Sequence, residues 1–287
     1  MEHVTVKDLV LGSGGVLVSG SEEAPVSHIR LDSRQVEPGD LFVPLLGERV
    51  DSHRFLPQVM DQGAAAVLTS QELTLPEGGA GCAVIRVEDT KKALQKIGSY
   101  LRDRLTLPLV GVTGSVGKTT TREMIAAALS ARFRVYKTPG NSNSQVGVPV
   151  TLSEITENDQ VGVIELGMSE PGEMTVIANI ARVDMAVITN IGITHIGQLG
   201  SQENILREKL HITDGMKDGG LLILNGDDPL LKGVQGREGL RTVYYGTGEN
   251  CDFRAVDICF EDGFPSFTAV HGADRQRVRL NVMGQHN

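Results

Sequence analysis

The sequence predicts an α/β protein in two parts: a small α/β N-terminal domain, and a central domain whose mostly parallel sheet ends in antiparallel strands. Three observations carry that prediction. From residue 108 onward, short apolar runs alternate with helix-patterned stretches, the signature of a parallel sheet covered on both faces. Before about residue 85 the strand-like runs are short and accompany one helical stretch. After Asp252 the pattern changes to alternating strands separated by turns.

The elements follow in order. Residues 27–31 and 40–44 read as strands, 55–61 as a helix, and 64–68 and 83–87 as further strands. Residues 90–105 form an amphipathic helix, with Leu94, Ile97, Leu101 and Leu105 at helical spacing, which stops before Pro108. The predicted division is 1–88 for the N-terminal domain, 89–107 for a connecting helix and 108–287 for the central domain. Strands of the central domain are expected at 109–113, 134–137, 161–165, 185–190, 221–224 and 242–245, and antiparallel strands at 252–260, 265–270 and 277–282.

Composition narrows the function classes. The chain has 287 residues, enough for two ordinary domains, with 40% apolar and 22% charged residues, as in soluble globular proteins. Its net charge of −9 argues against a nucleic-acid-binding surface. No apolar run approaches the ~18 residues of a membrane helix, and the start, MEHVTVKDLV, lacks the basic and apolar regions of a signal peptide. Cys82, Cys251 and Cys259 have no metal-binding spacing. They read as reduced packing residues of a cytoplasmic protein.

The most informative segment is GVTGSVGKTTT at residues 111–121. An apolar strand leads into Thr113, Gly114, Ser115, Val116, Gly117, Lys118, Thr119 and Thr120, and a helical stretch follows. Strand, glycine turn, Gly-Lys-Thr and helix together are the layout of a P-loop. The glycines let successive N–H groups face one concavity, the helix start adds positive potential, Lys118 reaches the β- and γ-phosphates, and the Thr119 hydroxyl suits Mg²⁺. Val112 stands where the standard pattern has glycine. The central domain is thus expected to be P-loop ATPase-like.

In open parallel sheets, ligands sit beyond the carboxyl ends of the strands. Three other strand ends carry polar residues there: Glu165, Asn190 followed by His195, and Asn225 followed by Asp227 and Asp228. The two aspartates, before Pro229, read as a turn and helix-start signal. For Glu165 and His195 a structural and a functional reading both stay open. A magnesium ion on ATP takes few carboxylates, which suits one glutamate. Lys209, read from its neighbours Arg207, Glu208 and His211, is a solvated helix lysine.

Taken together, 113–121, Thr138-Pro-Gly-Asn-Ser-Asn143 with Gly147-Val-Pro149, Glu165-Leu-Gly-Met168, Thr189-Asn-Ile-Gly192 with His195, Lys209 and Leu224-Asn-Gly-Asp-Asp-Pro229 resemble the ordered motifs of the Mur ligases. Asp32-Ser33-Arg34, residues 38–43 and Gly47 to His53 resemble that family's UDP-binding domain. The likeness runs from about residue 27 to Asn287. It departs from the pattern at Ser144 and Ser52, where asparagine and glycine are usual.

The resemblance implies an ATP- and Mg²⁺-dependent amide ligase of peptidoglycan precursor synthesis. The 138–143 stretch is most like the member joining D-alanyl-D-alanine to UDP-N-acetylmuramoyl-tripeptide through an acyl phosphate. It implies that residues 113–120 and Asn287 contact ATP. Lys118, Glu165, His195 and Lys209 would be catalytic, with Thr119, Glu165, His195 and a carbamylated Lys209 on metal. Asp32, Ser33, Arg34, Asn141 and Asn143 would bind the UDP substrate. It also implies a third, C-terminal domain beyond Asn287, so the chain is expected to be a poorly active fragment. Nucleic acid and membrane insertion are not expected, and the state expected is a monomer. A P-loop kinase, a non-catalytic nucleotide-binding module and the ligase adding the third amino acid remain the alternatives.

Overall fold

The computed structural model describes residues 1–47, 50–72 and 81–283, so Asn287 lies outside the described residues. The chain divides into two units that differ from the predicted boundaries. One holds residues 1–107 and 138–160, and the other 108–137 and 161–287.

The first unit runs α1 (Val6–Ser13), β1 (Val16–Ser19), β2 (Ile29–Arg30), β3 (Leu41–Phe42), α2 (Leu56–Asp61), β4 (Ala66–Thr69), β5 (Ala83–Arg86) and α3 (Thr90–Arg104). Its sheet order is β1-β5-β4-β3-β2, parallel except for the antiparallel β1–β5 pair. α1 and β1 were not among the expected elements. α1 is set by a capping box, in which the Thr5 N–H donates to Asp8, and by Gly14 in the left-handed region at φ +68°. α3 starts at Asp89, whose carboxylate accepts from the Lys92 N–H. It does not stand between domains: Ala93, Leu94, Ile97 and Leu101 are buried in the first unit's core with Leu9, Ile29, Leu41, Leu68 and Ile85.

The second unit begins with β6 (Leu109–Thr113), α4 (Lys118–Ser130) and β7 (Val135–Lys137). The chain then returns to the first unit. There α5 (Gly147–Ser153) packs on α3, and Val146 and Val150 extend the same apolar core.

The second unit resumes with β8 (Val161–Glu165), α6 (Glu173–Ala181), β9 (Met185–Ile188), α7 (Ile196–Leu199), α8 (Gln202–Leu210), β10 (Leu221–Asn225) and β11 (Arg241–Gly246). It ends with β12 (Phe253–Glu261), β13 (Phe264–His271) and β14 (Asp274–Arg279). Among the described residues these form a nine-stranded sheet in the order β14-β13-β12-β11-β10-β9-β6-β8-β7. Pairing is parallel from β7 to β12 and antiparallel from β12 to β14. The expected antiparallel strands thus end the parallel sheet, joined to it through the parallel β11–β12 pair. All five residues of β6 and of β8 are buried, as continuous apolar runs require. The cysteine expectation holds for Cys82 and Cys251, which are buried and unpaired, and fails for Cys259, which is exposed on β12.

Candidate functional site

The P-loop joins the carboxyl end of β6 to the first turn of α4. Gly117 caps the helix at φ +80° with nothing within 4 Å of where a Cβ would sit, so conformation alone calls for glycine there. Gly114, at φ +152°, is constrained by space as well: a Cβ would lie 1.9 Å from Thr189 Oγ1. The first-turn N–H groups of α4 have no intrahelical partner and carry the helix's positive end, which makes an anion site. Lys118 Nζ folds back to donate to the Gly114 carbonyl at 2.9 Å. Burial lowers its pKa, partly offset by the charge of Glu165.

The loop tip differs from the expected open nest. The Ser115 N–H donates to the Asn190 carbonyl at 3.1 Å, and the Val116 N–H donates to Asn190 Oδ1 at 3.0 Å. Asn190 Nδ2 and Thr189 Oγ1 both donate to the Val116 carbonyl, at 3.0 and 2.7 Å, and the Gly192 N–H donates to Ser115 Oγ at 2.8 Å. The segment after β9 therefore clasps the tip of the loop and holds two N–H groups expected to face phosphate. Asn190 was legible as a polar strand end, but its clasp on the loop was not.

Glu165 closes β8 and is 2% exposed. Its Oε2 accepts from Thr119 Oγ1 at 2.9 Å and lies 3.4 Å from Arg122 Nη1. Thr119 and Glu165 thus meet at the head of the P-loop helix. A hydroxyl and a carboxylate, two hard oxygen donors at the head of the P-loop helix, suit magnesium. Among the described residues no three His, Cys, Asp or Glu side chains gather into a metal-binding group. His195 sits half-buried at φ +63°, capping α7.

Lys209 is 2% exposed rather than solvated. Burial is the main cause that brings its pKa down from 10.5 to about 7; the charge of Lys118 pushes the same way and Glu208 opposes it. The adjacent Glu208 explains how a charged stretch of α8 comes to lie inside. Its two carboxylate oxygens accept from the Gly172 and Met174 N–H groups at 3.0 Å each, capping the start of α6 from a neighbouring helix. No local sequence pattern announces such a cap.

The aspartates behave as turn residues. Asp228 accepts from the Leu230 and Leu231 N–H groups and, through its other oxygen, from the Ile191 N–H at 2.9 Å. Asp227 accepts from the N–H groups of Thr247 and Gly248. Turns follow Pro229 where a helix was expected.

In the first unit, Asp32 caps the short 3₁₀ turn at Ser33–Gln35 and pairs with Arg34 at 2.6 Å. The Arg34 hydrogen bond holds the Asp32 carboxyl at about 2. Arg34 is exposed and Ser33 is buried. Asn141 is exposed and Asn143 half-buried, and the Asn143 N–H donates to the Asn141 carbonyl. His53 is buried between Asp51, 2.6 Å from its Nδ1, and the Ser70 N–H, 3.2 Å from its Nε2, which ties the 51–53 turn to the end of β4.

Comparison with known proteins matches the Mur ligase middle domain over residues 112–287, and the Mur ligase family catalytic domain over residues 25–101. The UDP-N-acetylmuramoyl-tripeptide--D-alanyl-D-alanine ligase of Bacillus subtilis is 40% identical over 284 residues, covering 99% of this chain and 61% of the relative. The Escherichia coli ligase of the same description is 33% identical, over 90% of this chain and 57% of its own length. Among solved structures, MurF from Acinetobacter baumannii superimposes with a TM-score of 0.88 at 31% identity, over 98% of this chain and 61% of that one. MurF ligase from Thermotoga maritima, solved in complex with ADP, gives a TM-score of 0.78 at 28% identity, over 88% and 58%. The chain thus spans about three-fifths of the length of these relatives. On the strength of the middle-domain match and the two-unit fold, the chain belongs to the Mur ligase family.

Proposed function

We propose that this chain carries the nucleotide- and UDP-substrate-binding parts of an ATP-dependent ligase. That ligase joins D-alanyl-D-alanine to UDP-N-acetylmuramoyl-tripeptide in peptidoglycan precursor synthesis. The observation that carries the reading is the Thr119–Glu165 pair at the head of the P-loop helix, in a chain 40% identical over 99% of its length to the Bacillus subtilis ligase of that description.

In the proposed reaction the tripeptide carboxylate attacks the γ-phosphorus of ATP, ADP leaves, and an acyl phosphate forms. The amine of D-alanyl-D-alanine then attacks the acyl carbon and expels phosphate. The chain's contribution to the first step is positioning and charge neutralisation. Lys118 and the opening N–H groups of α4 hold the phosphates. Thr119 and Glu165 would hold magnesium, whose charge would offset that of the phosphates. His195 and a carbamylated Lys209 would serve a second metal. For that role Lys209 takes up CO₂: its neutral amine attacks the carbon, a carbamate forms and a proton is released. A pKa near neutrality supports this, because an ordinary lysine is almost wholly protonated at that pH.

In the first unit, Asp32, Ser33, Arg34, Asn141 and Asn143 bind the UDP substrate. Asn287 approaches the adenine. The surroundings are cytoplasmic, where ATP is at hand, and the active form is a monomer.

Calorimetric titration tests the reading through the division of labour. Lys118→Ala is expected to weaken ADP binding at least ~10-fold and leave UDP-N-acetylmuramoyl-tripeptide binding unchanged, and Arg34→Ala to do the reverse. A chain that binds neither ligand, or variants that weaken both together, would overturn the proposal.

A further inference from the structure

One charged side chain inside the second unit has no part in the chemistry above. Arg122 lies on α4, three residues after Thr119, and is 4% exposed. A buried guanidinium is costly unless its partners compensate it. Its Nη1 faces Glu165 Oε2 at 3.4 Å, and its Nη2 donates to Glu123 Oε1 at 2.7 Å. Glu123 in turn pairs with Lys137 at the end of β7. Charges therefore alternate along a path from β8 through α4 to β7: carboxylate, guanidinium, carboxylate, ammonium.

Two features separate this arrangement from an ordinary structural ion pair. Thr119 and Arg122, on one face of α4, converge on the same oxygen of Glu165. The contacts are also unequal, with the hydroxyl at 2.9 Å and the guanidinium at 3.4 Å. At the longer distance the cation steadies the carboxylate by its charge without closing a short hydrogen bond over it. Glu123 and Lys137, both partly exposed, anchor the far end of the guanidinium from outside the core.

We infer that Arg122 is a positioning residue that presents the Glu165 carboxylate to a divalent cation at Thr119, with Glu123 and Lys137 holding Arg122 in place. The inference rests on the proposed nucleotide site and adds the origin of its metal affinity. Groups that orient a metal-ligating side chain typically contribute 10- to 100-fold in metal affinity.

The test measures ADP binding to the full 287-residue chain with magnesium and with EDTA. In the unaltered chain magnesium is expected to tighten ADP binding. Arg122→Met should lose roughly 10- to 100-fold of that magnesium effect while its affinity in EDTA stays within about 2-fold. Arg122→Lys should recover part of the loss. Glu123→Gln, at a partly exposed position that leaves the core intact, should show a smaller loss in the same direction, and it decides the matter if Arg122→Met does not fold. A magnesium effect unchanged in the folded variants would overturn the inference. So would parallel losses with and without magnesium, which mark a merely structural role. If ADP binds the unaltered chain with no magnesium effect, the nucleotide reading stands and this inference falls. If ADP does not bind at all, both fall.

Discussion

At the scale of single residues, the informative contrast is between Lys118 and Lys209. The first was legible because Gly-Lys-Thr after an apolar strand is a local pattern with a local cause. The second was misread as solvated, because its burial is imposed by Glu208 reaching the start of α6, a contact 34 to 36 residues away in sequence. Burial has a thermodynamic signature. Lys209 titrates at about 7 in the folded chain against an ordinary 10.5. Between those values the unfolded chain binds more protons than the folded one, so stability rises with pH across that window, and the whole penalty is present below it. Lys209→Met is expected to flatten this rise and to stabilise the chain near neutrality by on the order of a few kcal/mol. Denaturant unfolding in carbonate-free buffer at about pH 7 and about pH 10 checks it; equal pH slopes in the two proteins would count against the burial argument.

At the scale of elements, β6 and β8 match their expected bounds because strands buried on both faces read as apolar runs, here each ending on one polar residue, Thr113 and Glu165. α1 and β1 were missed: eight and four residues are too few for a periodic signal, and their ends are fixed by a capping box and a left-handed glycine. The P-loop shows the same division. Its glycines were read correctly as turn formers, but the clasp from Thr189 and Asn190 is tertiary and has no local signature. The clasp explains why Gly114 is stricter than Gly117. In Gly114→Ala the new methyl meets Thr189 Oγ1 at 1.9 Å, so the loop must leave the segment after β9. That variant is expected to lose at least ~10-fold in ADP affinity, whereas Thr189→Ala, which removes one hydrogen bond worth about 1 kcal/mol, should lose less than that. Calorimetry on the two proteins ranks them, and the reverse order would refute the steric account.

At the scale of the molecule, the two-part α/β architecture was legible and the path of the chain between the parts was not. The expected boundary at residue 107 assumed that each unit is one stretch of sequence. Instead 138–160 belongs with the first unit, because Val146 and Val150 complete the core that α3 faces. Composition could not reveal this, since α5 is as apolar as any helix covering a parallel sheet. A fragment of residues 1–107 is therefore expected to bare the part of α3 that α5 covers, along with the apolar side chains that Val146 and Val150 touch. It should unfold at a denaturant midpoint clearly below that of the first transition of the whole chain. Circular dichroism and tryptophan-free fluorescence probes such as a dye sensitive to exposed apolar surface would report it, and an equally stable fragment would show that α5 is dispensable.

The same return of the chain governs the order in which the protein can assemble during synthesis. Domains generally fold as units, the earlier one first. Here a nascent chain ending at Lys137 has neither unit finished. The first still lacks α5, and in the second β6 and β7 have both been made while β8, which lies between them, has not. Some twenty-eight further residues, 138–165, supply both missing pieces in succession: first α5, then β8 with Glu165 at its end. Glu165 is thus set in place by the same short stretch that completes the first unit and inserts β8 between β6 and β7, so a chain that stops within that stretch leaves both units unfinished.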